Sequence, residues 1–255
     1  VAAEAGPAIN PIEQFALSRV LSITVGGYDI SITNSTIYMI LAALVAIWVM
    51  SVGAKGTTGV PGRMQAVAEM SYEFVAGMIR SAMGEHGMRF LPLVFCLFMF
   101  ILICNLVSLV PYSFAVTAHI IITALMALLV FFTVVIIGIR EHGLHFFKLF
   151  VPSGVPIYIL PLVVAIEIIS FLSRPLSHSV RLFANMLAGH ITLNVFGGFV
   201  VMLLGASTIL KAVAILPFAM TIGLYALELL VAFLQAYVFV MLTCMYLNDA
   251  LHPGH

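Results

Sequence analysis

The sequence predicts an all-α polytopic membrane protein with about five to six membrane helices. Three observations carry that expectation. About 63% of the 255 residues are hydrophobic and only 8% are charged, against about 25% charged in ordinary globular domains. The apolar residues fall in runs long enough to cross a bilayer. Ten Lys/Arg and ten Asp/Glu are too few to clothe a soluble surface, which excludes a soluble enzyme, a nucleic-acid binder and a disordered chain. The formal net charge of zero implies no bulk electrostatic partner. Cys96, Cys104 and Cys244 all lie inside apolar runs. They read as small hydrophobes, not as a disulfide framework or a metal site.

Residues 1–255 read as a single membrane domain. Residues 1–31 form an N-terminal surface segment in which Glu4, Pro7, Pro11, Glu13, Arg19 and Asp29 interrupt apolar residues. A secretory signal would have a basic start and an apolar core; this segment has neither, and residues 11–21 are expected to lie on the membrane surface. Residues 32–52 are the first span. A Gly/Thr/Pro linker with Lys55 follows. Residues 61–86 hold an amphipathic helix. Met64, Val67, Ala68, Phe74, Val75, Met78 and Ile79 recur near the helical period, while Arg63, Gln65, Glu69, Glu73 and Arg80 occupy other faces. Such a helix lies at the interface or docks on a partner. Residues 90–139 make a two-span hairpin, 90–110 closed by Pro111 and then 118–139. Residues 140–148 are expected as a polar loop, and Pro152, Pro156 and Pro161 open the next element. His119 is expected as a satisfied interfacial histidine, His142 and His145 as a solvated loop pair, and Asn105 as a helix–helix hydrogen bond.

Loop charges set the orientation. Lys55, Arg63, Arg80 and Arg89 lie between the first two spans, and Arg140 and Lys148 follow the third. Both connections are therefore cytoplasmic or matrix-facing. The uncharged link at 111–117 faces the other side, which places the N-terminus outside.

Residues 156–247 form the unusual part. Helices are expected at 161–188 and 218–247, joined by the mostly apolar stretch 189–216, which contains Lys211. At about 1.5 Å per residue these helices run to roughly 42–45 Å, whereas the hydrocarbon core is about 30 Å thick. They are apolar along most of their length, so they are expected as an antiparallel, strongly tilted pair.

That hairpin also holds the intramembrane charges. The first long helix carries Glu167, Ser170, Ser173, Arg174, Ser177, His178, Arg181 and Asn185, and their spacing puts most of them on one stripe. Glu228 and Gln235 share a face of the second. A charge at mid-membrane costs at least about 2.5–3.5 kcal/mol and marks an ion or proton path. A guanidinium is a permanent cation, and no carboxylate lies one turn from Arg181. Its counter-charge must come from another helix or another chain. Two plainer readings stand beside this one: a structural ion pair between Arg181 and Glu228, and serines bonded to carbonyls of their own helix.

The stretch Arg174-Pro-Leu-Ser-His-Ser-Val-Arg-Leu-Phe-Ala-Asn-Met-Leu-Ala-Gly-His190 resembles the signature of the subunit a family of F-type ATP synthases. Glu228-Leu-Leu-Val-Ala-Phe-Leu-Gln-Ala-Tyr-Val-Phe-Val-Met-Leu-Thr243 is similar to that family's last helix, and Asn105-Leu-Val-Ser-Leu-Val-Pro111 to its earlier pattern. The resemblance covers nearly the whole chain. It implies that the tilted hairpin lies horizontally against a rotating c-ring. By resemblance, Asn185, His190, Glu228 and Gln235 line an inlet half-channel, Glu167, Ser170, Ser173 and Ser177 an outlet, and Arg181 stands between them. One departure stands out. Many bacterial members carry Glu after Ala-Gly and His in the last helix, whereas here His190 follows Ala188-Gly189 and Glu228 sits in the last helix. That arrangement belongs to the mitochondrial and alpha-proteobacterial branch.

The resemblance implies a stator subunit, not an enzyme. It implies no catalytic residue, cofactor or metal, and partners that are c-ring subunits, b-type subunits of a peripheral stalk, membrane lipid and protons. The amphipathic helix and the first span are the candidates for the stalk. The implied location is the bacterial plasma (inner) membrane, with the mitochondrial inner membrane as the alternative. A phosphate-binding Gly-rich loop is missing from the sequence, so no chemistry on ATP is expected in this chain. A proton-coupled secondary transporter is the rival class, but such proteins are built from repeats and the sequence has none.

Overall fold

A computed structural model describes residues 15–21, 24–25, 28–29, 31–53, 62–110, 113–151, 156, 158–206 and 208–251. Its helices are α1 (Asn34–Gly53), α2 (Arg63–Met83), α3 (Leu91–Ser108), α4 (Ile120–His142), α5 (Leu160–Leu204), α6 (Thr208–Val213) and α7 (Ile215–Leu251). Five stretches of the described residues are long and apolar enough to cross a membrane: Asn34–Ser51, Glu85–Ser108, Ile120–His142, Leu160–Leu204 and Lys211–Leu251. The all-α polytopic class read from composition is the observed one.

Local sequence sets most helix ends. Pro92 and Pro161 stand in the first turns of α3 and α5, where a missing N–H costs nothing. α2 stops at Gly84, whose φ of 69° suits glycine, and the Gly84 N–H closes onto the Arg80 carbonyl. α4 stops in the same way at Gly143, with φ 55°.

Two expectations need correction. Residues 189–216 are not a link between two helices for most of their length, because α5 continues to Leu204 and α6 follows. No proline occurs between Pro175 and Pro217, and a glycine costs a helix only about 1 kcal/mol, so nothing stops α5 before its cap at Gly205. With 45 residues in α5 and 37 in α7, their contour lengths are roughly 68 and 56 Å. The polar loop expected at 140–148 is helical as well. α4 runs to His142 and a 3-10 segment follows from Gly143 to Phe150. His142 is not a freely solvated loop residue; its Nε2 lies 2.8 Å from the Leu251 carbonyl oxygen. In the N-terminal surface segment, residues 1–14 lie outside the described ones. Here β1 (Arg19–Leu21) pairs antiparallel with β4 (Ile32–Thr33), and β2 (Thr24–Val25) with β3 (Tyr28–Asp29). Gly26-Gly27 between β2 and β3 is a two-residue hairpin signal.

The predicted amphipathic helix is α2, and its buried side faces its own chain. Ala68, Val75, Ala76, Met78, Ile79 and Met83 are buried where α2 packs on α1, α3 and α7. Val67 and Phe74, counted in the apolar face from periodicity, are exposed instead.

The core lies where α3, α4, α5 and α7 meet. Phe98, Ile101, Leu182, Met186 and Leu247 are fully buried. Lipid tails are as apolar as these side chains, so close packing and interhelical hydrogen bonds hold the bundle. Asn105 is the hub of the polar part. Its Nδ2 donates to the Ala232 carbonyl of α7 at 3.1 Å, and its Oδ1 accepts from Thr117 Oγ1 at 2.9 Å. Asn105→Leu removes the bond from α3 to the Ala232 carbonyl of α7 and leaves the buried Thr117 hydroxyl without its acceptor. Thermal unfolding in detergent is expected to show a loss of about 1–2 kcal/mol; parental stability in that scan would refute the hub.

Candidate functional site

The site is built on α5 and α7, which run antiparallel. Their three polar contacts climb along α5 as they descend along α7. Arg174 Nη1 meets Asp249 Oδ2 at 2.9 Å, Asn185 Nδ2 donates to Gln235 Oε1 at 2.9 Å, and His190 Nε2 lies 3.6 Å from Glu228 Oε1. The resemblance placed His190 and Glu228 in one inlet, and here the two side chains face each other. Sequence reading missed Asp249, which sits in a terminal stretch that reads as a solvated tail. Asp249 draws Arg174 off the stripe, and the Arg174 guanidinium also lies over the Tyr246 ring at 4.9 Å.

The stripe itself divides. Ser170, Ser173, Ser177, Arg181 and Asn185 are exposed, and Glu167 is half-buried on the same helix. Leu172, Leu176 and Val180 are exposed between them. Ser173 Oγ donates to the Ser170 carbonyl at 2.7 Å, as the plainer reading of the serines expected. His178 leaves the stripe. It is buried against Phe239, with ring centroids 3.8 Å apart, and neither ring nitrogen has a hydrogen-bond partner among the described residues.

Arg181 forms no ion pair with any described residue, so the structural pair with Glu228 does not form. Glu228 faces His190, is 5% exposed, and takes no hydrogen bond at either oxygen among the described residues. Gly189 makes room for this carboxylate. A Cβ there would stand 2.8 Å from Glu228 Oε1 and 3.1 Å from its carboxyl carbon. The same His190 Nε2 is 3.2 Å from Ser108 Oγ, which donates to the Asn105 carbonyl at 2.7 Å. The His–Glu pair is thereby coupled to the Asn105 hub.

A cavity of about 740 Å³ opens beside this pair. Asn34, Tyr38, Ser108, His190, Asn194 and Tyr225 are among its walls, and Tyr225 donates to the Leu109 carbonyl at 2.6 Å. It lies at the end of the bundle where α1 begins and α3 ends. Sequence reading also missed Phe15, which is buried with its ring edge-on to His190 at 6.2 Å between centroids. Close by, His119 stacks on Phe114 at 4.8 Å. Its Nε2 has no partner among the described residues, so it is not the satisfied interfacial histidine expected. Cys104 and Cys244 are buried and Cys96 is exposed. No group of three His, Cys, Asp or Glu side chains forms a metal cluster among the described residues.

This fold and site define an integral membrane protein in which one antiparallel helix pair carries a buried His–Glu pair and an arginine unpaired among the described residues, beside a cavity with polar groups in its wall. The family described as ATP synthase A chain matches residues 36–248. ATP synthase subunit a of Chelativorans sp. (strain BNC1) is 60% identical over 250 residues, covering 97% of this chain and 100% of that protein. ATP synthase subunit a of Rhodopseudomonas palustris (strain TIE-1) shows the same identity and coverage. That of Mesorhizobium japonicum is 58% identical over 247 residues, 97% of this chain and 98% of that protein. The chain belongs to the ATP synthase A chain family and is a membrane component of an ATP synthase.

Proposed function

We propose that this chain is the stator of a proton turbine, the non-catalytic a subunit of the F-type membrane sector. In this reading it supplies two proton half-channels, separated by Arg181, to a ring of c subunits. The carrying observation is the position of Arg181: a permanent cation, exposed on a helix face of serines and apolar side chains, with no counter-ion among the described residues. A charge in that setting needs an acidic partner from outside the chain. A c-ring carboxylate passing the stripe is that partner.

The inlet begins at the large cavity and leads to His190, Glu228, Asn185 and Gln235. The distances between these groups, 3.6 Å and 2.9 Å, support a relay along the hairpin. The His190 imidazole takes a proton from water of the cavity, and the buried Glu228 carboxylate beside it takes it onward. By loop charge this cavity faces outside. On the other side Glu167, Ser170, Ser173 and Ser177 form the outlet. A fixed cation favours the ionised form of a nearby carboxylate, so the c subunit releases its proton as it nears Arg181. Arg181 carries no removable proton and blocks a direct leak between the two paths. Each proton brings about 2.3 kcal/mol per 100 mV of membrane potential.

The partners in this reading are c-ring subunits, b-type stalk subunits and lipid, and the location is the bacterial inner membrane. The test is isolation of the intact membrane sector. A ring of small hairpin proteins is expected with this chain, cross-linking to cysteines placed at Leu176 or Val180; a chain that purifies alone and conducts no protons overturns the reading.

Glu167→Gln is expected to slow passive proton conductance of the membrane sector by about two- to fivefold, without abolishing it. Glu167 is half-buried at the edge of the stripe, and the neighbouring hydroxyls keep water there. Loss of all conductance on removal of this one carboxylate would make it a proton carrier and not an attractor of water.

A further inference from the structure

We propose that Phe15 is a positioning residue of the His190 site: the segment 15–18 forms a strap across the bundle end, and Phe15 shuts one face of the imidazole away from water. The proposal rests on the reading of His190 as part of the proton path, and it adds to that path a wall from outside the membrane helices.

Four observations converge on it. The Phe15 ring is buried and stands edge-on to His190, with centroids 6.2 Å apart and planes at 75°. Edge-on packing of this kind fixes the orientation of both rings. The strap is held by two hydrogen bonds from one residue, since the Asn34 backbone N–H donates to the Ser18 carbonyl at 3.1 Å and Asn34 Nδ2 donates to the Ala16 carbonyl at 3.2 Å. Just beyond, β1 pairs with β4 and closes the segment onto the start of α1. Finally, Asn34 and His190 both line the large cavity, so the clamp of the strap and the group it covers share one water-accessible space.

The consequence is directional. Residues 16–21 are all exposed, so within this stretch Phe15 alone turns inward. With its ring in place, water reaches the imidazole from the cavity, past Ser108 and Asn194. Nε2 is the nitrogen held at 3.2 Å from Ser108 Oγ and 3.6 Å from Glu228 Oε1. A proton arriving from the cavity therefore meets the imidazole in the orientation that faces Glu228. Without Phe15, the ring is wetted from a second side and is free to turn.

The experiment reads His190 directly in the intact complex. Trypsin cleavage after Arg181 and Lys211 yields a peptide whose one histidine is His190. Diethyl pyrocarbonate adds a carbethoxy group to an accessible imidazole nitrogen with loss of ethanol and carbon dioxide, and mass spectrometry of that peptide gives the rate. Phe15→Ala is expected to raise the rate about tenfold, whereas Phe15→Leu, which keeps an apolar plug, raises it less than about twofold. Asn34→Ala, which loosens the clamp at Ala16, is expected to fall between them, and it decides the matter if Phe15→Ala fails to assemble. Unchanged modification in Phe15→Ala, or in Asn34→Ala where that is the arm available, overturns the proposal. Passive proton conductance of His190→Gln, measured in parallel, tests the proton-path reading by itself. Full conductance there would refute that reading while leaving the shielding result to stand or fall on the labelling rates.

Discussion

Arg181→Ala abolishes proton-driven ATP synthesis in a complex that still assembles. The expectation of normal assembly comes from the exposure of Arg181. It fills no cavity and holds no partner among the described residues, so its removal costs the fold little. The expectation of lost function comes from the same exposure. A mid-membrane cation that forms no ion pair with a described residue of its own chain costs at least about 2.5–3.5 kcal/mol, and in the proposed mechanism a moving carboxylate offsets that cost. In the proposed mechanism, loss of the cation leaves the passing carboxylate protonated and leaves no fixed positive charge between the two half-channels. Arg181→Lys is expected to fail nearly as badly, because an ammonium is a compact, strongly hydrated charge that loses its proton readily when desolvated. The loss in both is at least about a hundredfold, equivalent to about 2.7 kcal/mol of coupling. The assay is ATP synthesis in inverted vesicles, with complex content matched on native gels. Near-normal synthesis by Arg181→Ala at matched content would sink the central reading.

The membrane class, the spans and the hairpin were legible because they depend on composition and period alone. So was the bond from Asn105, because a polar side chain within an apolar span needs a partner on another helix. Three features were not legible, each for a physical reason. The continuation of α5 to Leu204 was hidden because isolated glycines and an apolar run suit a link and a helix equally well. The departure of His178 and Arg174 from the stripe was hidden because a stripe about 100° wide has edges, and a residue at an edge goes to whichever neighbour the tertiary structure offers. For Arg174 that neighbour is Asp249, at the far end of the chain's last helix. For His178 it is the ring of Phe239. Phe15 was hidden most completely. A single aromatic residue in a mixed segment carries no period, and only the strap held by Asn34 brings it to His190.

Exchanging His190 and Glu228 together is expected to restore proton transport that either single exchange destroys. The two groups lie 3.6 Å apart, both almost fully buried. At about 4 Å and an effective dielectric constant of about 20, two unit charges interact by about 4 kcal/mol. Opposite charges at that distance stabilise each other, and like charges exclude each other. His190→Glu places two carboxylates side by side. They share one proton and release it poorly, because the second ionisation sets two negative charges together. Glu228→His places two imidazoles side by side, and the second resists protonation once the first is charged. Either variant therefore stalls the relay at one protonation state. In the double variant one acid and one base face each other again, with their helices exchanged. Gly189 bears on the geometry, since its lack of a Cβ gives the residue at position 228 its room, and it is unchanged in all three variants. The pair titrates as a unit whose two macroscopic steps belong to neither residue alone, so the exchange preserves the unit although it reverses the members. Coupling between contacting residues typically reaches about 0.5–3 kcal/mol, and the double variant is expected to transport protons about tenfold faster than either single variant. The measurement is ATP-driven quenching of a pH-sensitive dye in inverted vesicles at matched complex content. If the losses simply add and the double variant is the slowest of the three, His190 and Glu228 act separately and the inlet does not run through them as a pair.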